Sequence, residues 1–121
     1  KRDYTIGLWR GDSVVTDVQY RNNIFYIPDH QRVGTTSGFT HQHNIYYLGK
    51  NTVLGFAPGM GDLTEDPLFL NLNKQDFHLR KDSPAIDAGL LLKHSLDYDG
   101  RTVPVGKSTD IGAYEFGNAT R

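Results

Sequence analysis

At 121 residues, with 13 basic against 14 acidic side chains and no cysteine, the chain has the size of a single domain. The even charge balance argues against nucleic acid or an anionic membrane surface as a partner. The lack of cysteine excludes disulfides, zinc–thiolate sites and cysteine nucleophiles, and no apolar run approaches the length of a membrane span.

Thirteen Gly, seven Tyr and six Phe accompany many Ile, Val and Thr, a mixture that favours short strands and tight turns over helices. The chain opens on Lys1-Arg2-Asp3-Tyr4, with neither an initiating Met nor an apolar run, so no signal peptide is legible. It reads as a processed or excised segment of a longer protein.

In chain order, strands are expected at residues 4 to 9, 13 to 20 and 24 to 27, broken by Arg10-Gly11-Asp12 and Arg21-Asn22-Asn23. Residues 31 to 38 are polar and contain Gly, and read as loop. Then the pattern recurs. Asn23-Ile24-Phe25-Tyr26 is echoed by Asn44-Ile45-Tyr46-Tyr47, an offset of 44 − 23 = 21 residues. A period in the twenties is that of a strand solenoid, in which each unit needs a neighbour to bury its core face. Asn23 and Asn44 should then stack, as should Ile24 with Ile45 and Phe25 with Tyr46, one strand spacing apart. One of the two aromatic ladders would face the core and the other outward, and residue parity does not say which.

Residues 49 to 65 are Gly-rich and irregular, a long loop. Strands follow at residues 66 to 70 and 76 to 79. Ser83-Pro84-Ala85-Ile86-Asp87-Ala88-Gly89 reads as a helical turn or tight loop, residues 90 to 94 extend a helical turn, and strands close the chain at 102 to 105 and 111 to 116.

Four motifs in the second half resemble, in order, the C-terminal closing segment of secreted bacterial right-handed parallel β-helix proteins, the choice-of-anchor Q type within the pectate-lyase-like superfamily. They are Asp66-Pro67-Leu68-Phe69; Asp76-Phe77-His78-Leu79 with the segment from Ser83 to Gly89; Asp97-Tyr98-Asp99-Gly100-Arg101; and Asp110-Ile111-Gly112-Ala113-Tyr114-Glu115. The resemblance covers residues 66 to 116, with weaker agreement over 20 to 48. It implies an all-β fold, a right-handed parallel β-helix of two to three coils closed by a loop-rich C-terminal cap. Residues 1–65 would form the coils and long loop, and 66–121 the closing strands and cap. It also implies a secreted or cell-surface protein. The resemblance speaks for fold more strongly than for activity.

Asp87, Asp97 and Asp110 each lie beside a Gly or a turn, where a carboxylate accepts backbone N–H bonds. Asp97-x-Asp99-Gly100 also resembles the start of a calcium loop, but position 108, where such a loop needs Glu, is Ser. No cofactor is therefore expected, with calcium the alternative.

His41 and His43, two apart, would share a strand face and suit a metal or a sugar hydroxyl, or simply form a polar edge. Trp9 suits either a sugar platform or the core. Arg21 and Lys50 are basic residues near the same segments, as a uronate-cleaving lyase would need, though nothing pairs them in a motif and solvated surface charge is the simpler reading. The carbohydrate-contacting set is thus Trp9, Arg21, His41, His43, Tyr46, Tyr47 and Lys50.

The function expected is that of a terminal segment of an extracellular polysaccharide-acting protein, a lyase or glycoside hydrolase whose chemistry lies mostly on coils outside this chain. A non-catalytic carbohydrate-binding module and a purely structural end cap are the alternatives. The partners expected are a polysaccharide, acidic if the basic residues contact it, and further coils or a second chain at an open N-terminal end.

Overall fold

The computed structural model describes residues 2–6, 17–35, 39–93 and 96–117. Trp9, the second half of the first expected strand and the first half of the second lie outside the described residues, as does the closing tail from position 118. Among the described residues there are eight short strands: β1 (Arg2–Ile6), β2 (Val18–Arg21), β3 (Ile24–Tyr26), β4 (His30–Thr35), β5 (Phe39–Gln42), β6 (Ile45–Tyr47), β7 (Phe69–Asn71) and β8 (Asp76–Leu79). The sole helical element among the described residues is a 3-10 turn, Leu72–Lys74, capped by the Asn71 side chain, which accepts from the Lys74 N–H.

The 21-residue echo pairs in parallel register. Ile24 faces Ile45, Phe25 faces Tyr46 and Tyr26 faces Tyr47 between β3 and β6. β2 pairs with β5 and β1 with β4 in the same parallel sense.

The expectation of a right-handed parallel β-helix with a stacked cap is overturned. The described strands form four separate two-stranded sheets, with no closed or solenoid sheet, and β7 pairs with β8 antiparallel. The physical reason lies in residues 49 to 65. That Gly-rich stretch contributes single bridges, Val33 to Leu54 and Ile45 to Leu63, in place of a third set of strands. The helical turn expected at residues 90 to 94 is absent over its described residues, 90 to 93, and the strands at 102 to 105 and 111 to 116 are absent too. An isolated Leu96–Thr102 bridge and bends occupy the latter region. Conversely, the segment read as loop after Asp29 contains β4. Its outward residues Gln31 and Arg32 are polar, and a single inward Val33, fully buried, anchors it.

β3 and β6 are covered on both faces. Alternation sends Phe25 and Tyr46 to one side, where they join Ile6, Val33 and Leu48 with Tyr20 and Phe56. It sends Ile24, Ile45, Tyr26 and Tyr47 to the other, where they meet Phe69, Leu79, Ala85 and Ile111 from the second half of the chain. Both aromatic ladders are therefore packed. Phe25 stacks on Tyr46 at 5.1 Å, and Tyr26 tilts on Tyr47 at 5.5 Å.

A repeated corner precedes these strands. Asn22, His43 and Gly61 all adopt left-handed backbone, at φ 58°, 53° and 72°, and each is followed by an Asn or Asp. Asn44 is fully buried. Its carbonyl oxygen accepts from the Asn23 N–H at 3.0 Å and the Asn23 amide at 3.2 Å, and its own amide donates to the Tyr20 carbonyl at 3.0 Å. The Asn44 N–H in turn donates to Asp62 Oδ1 at 3.1 Å. Side-chain bonds thus run through all three corners.

At the third corner, a Cβ on Gly61 would strike the His43 ring. Gly61→Ala should therefore lower the melting temperature, with about 1–2 kcal/mol from left-handed backbone and roughly 1 kcal/mol from disturbing the His43 bond. Adding His43→Ala should leave only the backbone part of the further loss. Equal melting of Gly61→Ala and the parent would contradict this packing.

Candidate functional site

The residues singled out in the sequence are dispersed. Arg21 pairs in register with Gln42, and its Nε is buried without a hydrogen-bond partner among the described residues. His41, opposite Tyr20, turns inward: its Nδ1 meets Asp62 Oδ2 at 2.5 Å, and its ring stands edge-on to Phe56 at 4.7 Å. The Asp62 side chain is fully buried and also accepts the Gly59 N–H at 2.7 Å. His43 does not share His41's face, because β5 ends at Gln42 and His43 takes the left-handed corner. Its Nδ1 lies 2.8 Å from the Ala88 carbonyl, which can only accept, so that nitrogen carries the proton.

Tyr46 is 1% exposed. Burial, then the nearby Asp62 carboxylate, pushes its phenol well above the ordinary range, so it remains neutral. Tyr47 is half-buried against the second-half core. Lys50 is exposed in the wall of a polar recess of about 470 Å³ shared with His30 and Gln31. Tyr46 presents no face to a ligand, and His41 and His43 point to different partners.

The carboxylates of the second half pin turns, as the sequence suggested. Asp87 Oδ1 accepts the Ser108 N–H at 2.9 Å. Asp97 accepts Arg101 N–H at 2.8 Å and Glu115 N–H at 2.9 Å. Asp110 accepts Asp87 N–H at 2.7 Å and Phe116 N–H at 2.5 Å. Glu115, not foreseen as structural, joins them: its two oxygens accept from Asp110 and Val105 N–H. Asp99 contacts His78 Nε2 at 2.7 Å. Among the described residues no group of three or more His, Asp or Glu converges to hold a metal ion.

Burial raises Asp97, but the backbone N–H bonds from Glu115, Arg101 and Asp99 and the Arg101 charge outweigh it, and the group lies below its usual value. Asp110 goes the other way. Burial dominates over the bonds from Asp87 and Phe116, the Glu115 and Asp87 charges add to the rise, and it is pushed up to about 6.

Between these carboxylates opens a cavity of about 380 Å³. Leu92, Leu96, Val103, Tyr98 and Tyr114 supply its apolar wall. Tyr98 is 81% exposed and stands edge-on to Tyr114 at 5.7 Å, and Tyr114 stacks on His78 at 3.8 Å. The backbone bond from Tyr98 N–H to the Ala113 carbonyl, 2.9 Å, brings the two rings together. Thr109 also lines the cavity, and its Oγ1 is buried with no hydrogen-bond partner among the described residues. Neither tyrosine stood among the sequence candidates. The motifs containing them marked turns, and nothing local shows that two rings 16 positions apart become neighbours.

No family model, curated protein or solved structure matches this chain. None of the described helices is long and apolar enough to cross a membrane.

The Asp110 shift has a sign that can be tested. A carboxyl raised from 3.8 to about 6 holds its proton longer in the folded state, so stability on its account falls as pH rises through that window. Asp97, shifted down, contributes stability that is lost as pH falls through its folded value. Comparing Asp110→Asn with the parent cancels Asp97. The variant's stability relative to the parent should improve by up to about 3 kcal/mol between pH 4 and pH 7 in denaturant titrations. A difference independent of pH would contradict the assignment.

Proposed function

We propose that this chain is a non-catalytic carbohydrate-binding segment of an extracellular polysaccharide-acting protein. The observation that carries the reading is the 81%-exposed Tyr98 ring, braced by Tyr114, at an apolar cavity of about 380 Å³. Exposed aromatic rings present an apolar face with a polar edge, the surface on which sugar C–H faces stack, and a cavity of this size takes a small ligand. The cavity's own acids argue for binding over catalysis. Asp97, Asp110 and Glu115 each accept at least two backbone N–H bonds, which fixes them to the turns.

The motifs Asp97-Tyr98-Asp99-Gly100-Arg101 and Asp110-Ile111-Gly112-Ala113-Tyr114-Glu115, which resemble closing segments of secreted bacterial proteins, are the ones that build this cavity. That supports the extracellular part of the reading. A purely structural closing role is the second reading, favoured by the same carboxylate–backbone bonds.

Affinity electrophoresis against a panel of soluble polysaccharides tests the choice. The parent chain should be retarded by at least one of them. Tyr98→Ala should raise Kd about ten-fold, equivalent to about 1.4 kcal/mol, with the circular dichroism spectrum unchanged. Absence of retardation across the panel, or retention indifferent to Tyr98→Ala, would leave the structural role.

A further inference from the structure

We infer that the Tyr98 cavity takes glycans free of carboxylates and turns away uronate-containing ones. This rests on the carbohydrate-binding reading and names its substrate class. Three carboxylates, Asp97, Asp110 and Glu115, line the cavity, and no Lys, Arg or His among the described residues does. Two of them are nearly enclosed, Glu115 at 2% and Asp110 at 3% exposure, so solvent screens them poorly. Their bonds to backbone N–H groups hold the charges in place without neutralising them. The Arg101 guanidinium is tied to the Glu115 carbonyl at 2.8 Å and stands outside the lining. A uronate entering here would bring a further negative charge against this wall, with no cation among the described lining residues to meet it.

A neutral sugar meets the opposite situation. Its hydroxyls donate, and each carboxylate oxygen that holds one N–H bond retains a second lone-pair direction. The Tyr98 face supplies the apolar contact. The basic residues that suggested an acidic polysaccharide from sequence lie elsewhere: Lys50 is in the separate polar recess, and Arg21 is at the end of β2.

Isothermal titration of the full chain with laminarihexaose, mannohexaose, oligogalacturonate and oligoguluronate tests this, each repeated with Tyr98→Ala. At least one neutral hexasaccharide should bind ten-fold or more tightly than both uronates, and Tyr98→Ala should lose that binding. Tyr98-dependent binding of a uronate, equal to or tighter than the neutral sugars, would overturn the substrate class while sustaining the carbohydrate-binding reading. Absence of Tyr98-dependent binding for all four would overturn both.

Discussion

The buried amide of Asn44 is the interaction on which the arrangement depends. It has no access to water, so each of its donors and acceptors must find a protein partner or cost free energy. Asn23 supplies two donors to its oxygen, and the Tyr20 carbonyl takes its amide proton at 3.0 Å. Those bonds exist in one register only. A slip of one residue would put an isoleucine where the amide must be and turn every side chain of the strand to the opposite face. The left-handed residues before each corner, Asn22, His43 and Gly61, aim the chain so that Asn23, Asn44 and Asp62 come into line.

The same corner positions the second half of the chain. The Asn22 side chain exchanges two hydrogen bonds with the Leu90 backbone, both 2.7 Å, and the Asn22 backbone carbonyl accepts the Gly112 N–H at 2.9 Å. His43 holds the Ala88 carbonyl. These contacts lay Ala85, Ile86, Ala88 and Ile111 against the face of β3 and β6 that carries Ile24 and Ile45, where Ile45 and Ile111 are fully buried. Asn22 itself lines the cavity that contains Tyr98. The register of the paired strands and the shape of the candidate site are thus fixed at one place.

Much of this was legible in the residues and some was not. The Asn-Ile-aromatic-Tyr echo identified partner strands correctly because amide, aliphatic and aromatic ladders are each satisfied by like against like. It identified neighbours without fixing how many, and the Gly-rich stretch after Leu48 ends the sheets where a β-helix would continue them. The outward ladder was expected to face solvent. It is covered because the second half of the chain docks there, a long-range fact that strand alternation cannot carry. β4 escaped notice since a single Val33 anchors it among polar residues. Asp87, Asp97 and Asp110 were recognisable as turn pins from their neighbours alone. The Tyr98–Tyr114 pair was not, because a single backbone bond between distant turns creates it. Tyr46, chosen as a ligand contact, is core for the same reason that its ladder with Phe25 exists.

If the Asn44 ladder governs the fold, its amides should be released only when the whole chain unfolds. Native-state hydrogen exchange reads this directly at the Asn23 N–H, bonded to Asn44 Oδ1, and at the Asn44 N–H, bonded to Asp62 Oδ1. The account predicts that both exchange with the free energy and denaturant dependence of global unfolding, matching the Tyr46 N–H within β6. Exchange of the two Asn amides through local, denaturant-independent openings, while Tyr46 stays protected to the global limit, would contradict it.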